Sequence, residues 1–432
     1  MFSVFTNAFK LPDLRKRILY TLLILVIFRI GSAIPVPFLD PSALTNMINQ
    51  TGGFFGYLNV LTGGAFEQAT IFAMSITPYI NSSIIIQLLT VAIPALERMS
   101  KEGEEGRKKI NKITRYTTVI LGLIQAIGYY FLLKNQGAVK VTGGFNGFFT
   151  AAVIVLIFTA GTALIMWLGE QINEKGIGNG ISMILFAGIV ARGPGAIWTL
   201  VSFFTAGVTG MGVQYAIFAP VTIIMFLAMI VFIIVMNAGE RRIPVQYAKR
   251  QVGRKMYGGQ STHIPIKVAM SGVMPIIFAS SILSLPSTIA GFVNPAADSF
   301  WYKLAEWFRY DGLIYAIVYF FLIIGFNYFY VSIQYNPVEI ANNLRKNNGG
   351  IPGIRPGKPT SDLITKIVSK ITLIGAIFLA VVAIVPIGYS ALTNINVSIG
   401  GTSIIIVVGV ALETMRSLES QMMMRHHKGF LE

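Results

Sequence analysis

Polar side chains recur at helical spacing within the apolar stretch 72–93. Ser83, Gln87 and Thr90 are separated by four and then three residues, so a helix places all three on one face. Hydroxyl and amide groups in such a row offer hydrogen bonds, but alone they form no acid–base pair. Pro78 lies inside the stretch and predicts a kink. The pattern therefore predicts a kinked helix of membrane length with one polar seam.

A second stretch, 268–286, repeats this order about 197 residues later. Both stretches contain Ala-Met-Ser, then a proline, then a pair of serines followed by apolar residues. In the second stretch Ser280, Ser284 and Ser287 form the polar row. Two kinked, polar-seamed helices at equivalent positions predict two halves of a structure that opens.

Catalytic and metal-binding motifs are missing from the sequence. There is no HExxH, GxSxG or Walker A motif, no cysteine, and the three histidines lie in polar surroundings. No buried carboxylate is expected at mid-membrane, which argues against a proton pump or symporter, while sodium bound by carbonyls at an unwound helix stays open. We therefore predict no enzymatic activity and no cofactor. The acidic residues near the apolar runs lie in loops or at run ends: Glu97, Glu170, Glu174, Glu240, Glu339 and Glu413.

The composition indicates a membrane protein. Of 432 residues, 54% are hydrophobic and only 12% are charged, which is more apolar surface than a soluble core of this size requires. Polar residues cluster between apolar runs of roughly 17 to 27 residues, the length that a bilayer demands of a helix. We predict an all-α polytopic membrane protein with ten transmembrane helices. The predicted spans are 18–36, 71–95, 113–133, 148–168, 181–205, 214–237, 266–292, 312–335, 367–388 and 399–418.

Basic residues are distributed unequally between the two sides of these spans. Of 34 Lys and Arg residues, 28 fall in the termini and in one set of alternate loops, and four fall in the other set. The positive-inside rule then predicts that both termini and the three large basic loops are cytoplasmic. The remaining two, Arg29 and Arg192, lie within spans, where snorkelling or structural pairing is favoured over a role in transport.

The internal similarity pairs span 2 with span 7. Because the offset of five spans is odd, the two halves insert in opposite orientations and form an inverted repeat. We therefore predict a first half, residues 1–205 with spans 1–5, and a second half, residues 206–432 with spans 6–10. The halves are expected to face each other.

An apolar, glycine-rich segment, 54–67, lies between spans 1 and 2 and is too short to cross a membrane. It is either an interfacial helix or buried loop, or a short re-entrant helix that stops a pore from the outer side, with Gly63 and Gly64 as its hinge. Ile76 and Ile80 flank Pro78 at a spacing of four. They either face lipid or line a narrow gate, which needs bulky apolar side chains that can exclude water.

Two long basic loops, 238–265 and 336–366, are rich in residues that favour turns. Such residues are not needed if the only role of the loops is to orient the protein in the membrane by their positive charge. Residues 243–247 alternate apolar and polar side chains before a turn at Gly253, which predicts a β-like hairpin. The second loop has four glycines and two prolines around Arg355. The alternatives are topogenic charge alone or a docking surface for an acidic protein or RNA phosphate.

Seven motifs spread over most of the chain are SITPYINSSIIIQLLT (75–90), KEGEEGRKKI (101–110), WLGEQINEKGIGNGIS (167–182), QYAKRQVGR (246–254), QSTHIPIKV (260–268), IPGIRPGK (351–358) and GGTSIIIVV (400–408). Through them the chain resembles the SecY family, the channel subunits of the bacterial protein-export translocon. The resemblance implies a clamshell of two five-helix halves around an hourglass-shaped central pore. Secretory chains are expected to cross the membrane through this pore, and membrane segments to leave sideways between spans 2 and 7.

The resemblance also implies roles for individual residues. The pore ring of the family falls on Ile76, Ile80, Leu185, Ile277 and Ile406, where leucine departs from isoleucine at the span-5 position. The lateral gate falls on Ser83, Gln87, Ser280, Ser281 and Ser284. The plug falls on about 54–67, with Leu61, Gly63 and Gly64. The cytosolic docking residues fall on Arg250, Arg254, Lys255 and Arg355.

The partners that the resemblance implies are the small membrane subunits SecE and SecG, the SecA motor ATPase or the ribosome, signal peptides and nascent polypeptides, and anionic lipids. The location implied is the bacterial plasma membrane. From the residues alone a second function stays open, a secondary transporter of a small solute, since inverted repeats and kinked helices also favour a transporter.

Overall fold

A computed structural model provides the structure of the protein. It describes residues 6, 8–42, 44, 59, 62–141, 143–208, 213–247, 250–252, 255–257, 261–293, 299–308, 312–393 and 400–426. Over these residues the chain is mostly helical, with short strands between the helices of the second half.

The helices of the first half are α1 (Pro12–Gly31), α2 (Thr77–Ala92), α3 (Pro94–Lys101), α4 (Glu104–Asn135), α5 (Gly144–Lys175), α6 (Gly180–Ala191) and α7 (Gly193–Val208). Those of the second half are α8 (Val213–Ala238), α9 (Met274–Val293), α10 (Phe300–Trp307), α11 (Leu313–Gln334), α12 (Pro337–Lys346), α13 (Lys358–Thr393) and α14 (Gly401–His426). The strands are β1 (Glu240–Tyr247), β2 (Arg250–Val252), β3 (Lys255–Tyr257), β4 (Ser261–Lys267) and β5 (Gly349–Gly350).

All ten predicted spans coincide with helices, and α6 and α7 together form span 5. Within the described ranges, seven helical stretches are long and apolar enough to cross a membrane by length and composition, or eight if α2 and α3 count as one bent span. The other spans are α1, which begins with basic residues, and α9, whose apolar part is the shorter Met274–Pro286. Over the described residues the fold is therefore the predicted all-α polytopic one, with ten spans in two inverted halves.

The helices of spans 2 and 7 begin later than expected, and the predicted kink at Pro78 is wrong. Residues 71–76 and 268–273 are turns, which we call the lead-in segments. Pro78 lies in the first turn of α2, where its missing N–H costs nothing because no helical acceptor is available there. Pro275 lies at the same place in α9. The sharp bend of span 2 comes later, where α2 and α3 meet at 101° before Pro94.

The two lead-in segments pack against equivalent glycines, which shows the inverted repeat at atomic detail. A Cβ on Gly161 of span 4 would overlap the carbonyl oxygen of Ile71, and a Cβ on Gly375 of span 9 would overlap that of Val268. Each span thus approaches its lead-in backbone as closely as only glycine permits. The pairing of span 4 with span 9 repeats the offset of five found for spans 2 and 7.

The basic loops build a small sheet, with strand order β4-β1-β5. β1 pairs antiparallel with β4, and the tip strands β2 and β3 pair antiparallel with each other, so the predicted hairpin is confirmed. Gly253 itself lies outside the described residues. Two features of the second loop were not predicted: α12, and β5, whose Gly349 and Gly350 pair with Tyr247 and Gln246 of β1. In addition, α13 begins at Lys358, nine residues before the predicted span.

Buried apolar residues form separate clusters within and between the halves. One cluster lies in the first half around Tyr129 and Phe158, and another lies in the second half around Tyr319 and Phe378. A third packs the strands β1 and β4 onto α12 and α13. A fourth contains residues from α1, α5 and α6 together with residues of α9 and α14, so the two halves meet through it.

Candidate functional site

Five apolar residues predicted for the pore ring lie in one cluster between the halves, which we call the central cluster. Four are buried, with exposed fractions of 1% for Ile76, 4% for Leu185, 9% for Ile277 and 1% for Ile406. Ile80 packs against them and is half-buried. The structure therefore brings all five predicted side chains together.

Local sequence explains why these side chains meet. Ile76 is the N-cap of α2 and Ile277 lies in the first turn of α9, so both occur where a lead-in segment ends and a helix begins. Leu185 lies mid-way along the short helix α6, and Ile406 lies in the second turn of α14. Branched apolar side chains give an ion no replacement for its hydration shell, so such a cluster can exclude ions.

The two helices with polar seams, α2 and α9, contact each other across the halves, and α9 also contacts α4. Gln87 Nε2 donates to Ser83 Oγ at 3.3 Å. Ser280 donates to the carbonyl of Ile277 at 3.0 Å, and Ser284 donates to that of Ser281 at 2.6 Å. These hydroxyls therefore bond to their own helix or its side chains.

The serine next to Ser83 has a structural role that its sequence position did not indicate. Ser82 is buried and donates to the carbonyl of Thr114 on α4 at 2.9 Å, which ties α2 to its own half. The Ser-Ser pair thus contains one residue facing inward and one, Ser83, that is half-buried on the seam. The helical spacing of Ser83 and Gln87 indicated the seam but not the role of Ser82.

Of the predicted plug, about 54–67, the structure describes residue 59 and residues 62–67, and Leu61 lies outside the described residues. We call residues 62–69 the glycine segment. The segment consists of turns, whereas a short re-entrant helix was one of the predicted alternatives. Gly63 and Gly64 have positive φ values of 65° and 92°. A Cβ on Gly63 would approach the Gly188 carbonyl oxygen to 2.9 Å, so the segment fits closely against α6.

The glycine segment is also held by α4. The Phe66 ring stacks on that of Tyr129 with 4.8 Å between centroids. The Tyr129 hydroxyl donates to the Phe66 carbonyl at 2.7 Å, and Ala65 is fully buried. An aromatic pair with a satisfied hydroxyl is a firm anchor in an apolar surrounding.

Both in-span arginines contact this segment. Arg192 Nη2 lies 2.6 Å from Glu67 Oε2, and Arg29 Nη1 donates to the Gly63 carbonyl at 3.3 Å. The prediction of structural pairing is thus confirmed for Arg192, which lies at the junction between α6 and α7. No local pattern singles out Glu67, because its partner is 125 residues away in the chain.

The predicted docking residues that the structure describes belong to one assembly, which the two basic loops build together. Arg250 is in β2 and Lys255 is in β3, while Arg254 lies outside the described residues. Arg355 is exposed between two glycines of positive φ, and nearby Ile351 is buried against the sheet. The pairing of β5 with β1 joins the two loops, which sequence reasoning treated as separate.

The comparison with protein-family models matches the SecY family over residues 70–415. The chain belongs to the SecY family. A SecY relative, the protein translocase subunit SecY of Streptomyces scabiei, is 44% identical over 447 residues, and the alignment covers all of both chains. The resemblance that the seven motifs indicated is therefore confirmed.

Solved structures share the SecY fold of this chain. A structure of a protein-conducting channel has a TM-score of 0.68 at 19% identity, covering 94% of this chain and 92% of that one. Sec61 in the canine ribosome–channel complex from the endoplasmic reticulum has a TM-score of 0.65 at 17% identity, with 94% and 92% coverage. At such identities the likeness establishes the two-half architecture rather than the roles of single residues.

Proposed function

We propose that this SecY-family chain is a protein-conducting channel. Secretory polypeptides cross the membrane through the central cluster, and membrane segments leave laterally between α2 and α9. The observation that carries the proposal is the central cluster itself, to which both halves contribute apolar side chains. Such a ring seals against ions and can part around a chain of any sequence, because it makes no specific hydrogen bonds.

In this proposal the polar seams form the lateral gate and the glycine segment forms the plug. The contact between α2 and α9 joins the halves at half-buried residues such as Ser83, Ser281 and Ser284, which supports a lateral gate there. The glycine segment, with Gly63 and Gly64, packs against α6, which contributes Leu185 to the central cluster. This position supports the role of a plug that closes the pore at rest.

Energy for transport comes from partners, and the proposal assigns no catalytic group, metal or cofactor to this chain. The SecA motor or the ribosome docks on the two basic loops, through Arg250, Arg254, Lys255 and Arg355. The exposure of Arg355 on a glycine-bounded tip supports this role, as does the sheet that joins both loops. The SecE and SecG subunits complete the complex.

The proposed location is the bacterial plasma membrane, with both termini in the cytoplasm. The support is the distribution of basic residues, because 28 of 34 fall on one side. The same basic loops lie close to the membrane surface and attract anionic lipids.

A secondary transporter of a small solute is the second candidate. The lead-in segments favour it, because carbonyls freed where a helix breaks coordinate ions in many transporters. The two candidates differ in what passes through the central cluster, so a polypeptide crosslink distinguishes them.

The decisive experiment places a photoreactive residue at Ile80 or Ile277 and stalls a secretory precursor in the assembled complex. We expect a precursor adduct at both positions. The matched control is Leu227 on α8, which is 58% exposed on the outside of the bundle and should crosslink to lipid. Equal precursor yields at Leu227 and Ile80, or no adduct from an active complex, would overturn the pore assignment.

Arg355→Glu tests the docking role. A reversed charge on the tip should abolish motor-driven export while leaving insertion of this protein in the membrane unchanged, because Arg355 is exposed and supports no core contact. Lys346→Glu, an exposed reversal at the end of α12, is the matched control and should export normally. Wild-type export by the Arg355→Glu variant contradicts the docking role.

A further inference from the structure

Two arginines outside the basic loops converge on the glycine segment from different elements. Arg29 lies in the last turn of α1, and Arg192 caps the C-terminus of α6 at the break before α7. Arg192 pairs with Glu67, at one end of the segment, and Arg29 contacts Gly63 at the other. Neither arginine is needed to fix membrane orientation, which the loops already determine.

The pair of Arg192 with Glu67 is partly withdrawn from water. The exposed fractions of the two side chains are 28% and 24%. The Asn59 amide donates to the same Glu67 oxygen, and the Glu67 N–H donates to Asn59 Oδ1 at 3.2 Å. Removing Glu67 from this site would leave a half-buried guanidinium without its counter-charge, which is strongly unfavourable.

The fit around the arginines leaves little room for the segment to shift while they stay in place. A Cβ on Gly64 would lie 3.2 Å from the Arg192 guanidinium, and one on Gly63 would lie 2.8 Å from Arg29 Nη1. Both glycines also hold left-handed backbone, which other residues adopt at a cost. The arginines therefore define one seated position of the segment.

The helix α6 links this position to the central cluster. It carries Leu185, a member of that cluster, and its C-cap is Arg192, seven residues further on. A rise of 1.5 Å per residue places the two about two turns apart on one rigid element. A displacement of α6 that widens the cluster therefore also shifts Arg192 relative to α4, whose Tyr129 holds the segment that carries Glu67.

We propose that Arg192 and Glu67, assisted by Arg29, are positioning residues that latch the glycine segment in its seat, and that movement of α6 releases the latch. The inference rests on the proposed plug role and adds how the plug is held and what frees it. The charged pair sets the fraction of channels whose segment is seated at rest. Arg29 contributes less because its side chain is exposed and its acceptor is a neutral carbonyl.

The absence of cysteine from the sequence allows a direct test in the intact complex. Ala65→Cys places a thiol at a fully buried position of the segment, where a membrane-impermeant maleimide added from the outer side reacts slowly. Glu67→Gln and Arg192→Gln should each raise the labelling rate about tenfold, the effect of losing roughly one charge-assisted hydrogen bond. Arg29→Gln should raise it about twofold, in line with a neutral acceptor in water.

Three controls make the result specific. The double variant Glu67→Arg/Arg192→Glu restores the pair with reversed charges and should return labelling towards the original rate. Glu170→Gln removes the ion pair of Arg115 and Glu170, which has the same 2.6 Å distance but does not involve the segment, and should change nothing. Ala126→Cys, buried in α4, should stay protected in every variant, which reports an intact fold.

The latch is wrong if Ala65→Cys labelling is unchanged in Glu67→Gln and Arg192→Gln, or if Glu170→Gln increases it equally. This readout needs no translocating polypeptide. Failure of the precursor crosslink at Ile80 with altered Ala65→Cys labelling would refute the channel but leave the latch. A successful crosslink with unaltered labelling would refute the latch alone.

Discussion

The lead-in segments before α2 and α9 share one backbone plan. The Ile71 N–H donates to the Ile34 carbonyl at 3.1 Å, and the Val268 N–H donates to the Gly239 carbonyl at 2.9 Å. In each case the start of the lead-in pairs with the chain that has just left the preceding span. Each segment then passes a residue of positive φ, Ser75 or Gly272, before its helix begins.

The residues that the chain inserts between the two hydrogen-bonded positions differ completely between the halves. In the first half the insertion contains the glycine segment and its arginine contacts. In the second half it contains β1 to β4. Because the repeat is inverted, the two insertions emerge on opposite faces. The same kind of junction thus carries the proposed plug on one face and the proposed docking loop on the other.

Side-chain anchoring also differs between the two segments. Ser271 donates to Asn327 Oδ1, and Asn327 Nδ2 donates to the Thr372 carbonyl at 2.8 Å, so the second segment is tied to α11 and α13. The Ser75 hydroxyl is buried and has no hydrogen-bond partner among the described residues. The first segment is held by packing instead, and it is therefore the one we expect to move when the pore opens.

The largest effects should come from Gly161→Ala and Gly375→Ala. Each new methyl group would overlap a backbone carbonyl oxygen that cannot rotate away, so each substitution should lower the free energy of unfolding by about 3 kcal/mol. Gly375→Ala should cost more, because hydrogen bonds fix the second segment and stop it from yielding. Equilibrium unfolding of the complex in mixed micelles measures both.

Gly388→Ala is the matched control for these two variants. Gly388 lies in α13 with Gly375, and a Cβ there meets nothing within 4 Å, so the substitution should stabilise the helix by up to about 1 kcal/mol. Equal losses at residues 375 and 388 would show that helix propensity and not close approach is responsible.

A smaller effect is expected from Asn327→Ala. Asn327 is 2% exposed, and its removal leaves Ser271 and the Thr372 carbonyl without their partner, at a cost of about 2 kcal/mol. The same unfolding assay applies. Gly325→Ala on the same helix α11 is the matched control, since a Cβ at Gly325 has open space. Unchanged stability in Asn327→Ala would remove the distinction drawn between the segments.

Sequence reasoning predicted the helices well and their beginnings poorly. Hydrophobic run length located every span, because a bilayer sets the length of an apolar helix. It placed Pro78 inside a helix because the apolar run starts at Phe72, before the helix does. The turns of residues 71–76 are also apolar, because they are buried against α5. Hydropathy alone cannot distinguish such buried turns from a helix.

The candidate site was predictable where it depended on the spacing of nearby residues or on the resemblance to the family. The seams of Ser83 and Ser280 followed from spacing, and the central cluster followed from the resemblance. The contact of Glu67 with Arg192 and that of Asn327 with Ser271 join residues far apart in the chain. Such pairs depend on how the helices pack, and a single sequence gives no sign of which polar residues will meet.

The smallest expected effect separates the two serines of the repeat. Ser271→Ala should lower the free energy of unfolding by about 1 kcal/mol, because its hydroxyl bonds Asn327. Ser75→Ala should change it by less than about 0.5 kcal/mol, because removing a buried hydroxyl that lacks a partner sacrifices no hydrogen bond. A loss at Ser75 as large as at Ser271 would mean that the first segment has an anchor of its own. The expected difference in mobility between the two lead-in segments could then no longer rest on Ser75 and Ser271. It would have to rest on whether the arginine contacts of the neighbouring glycine segment are made or released.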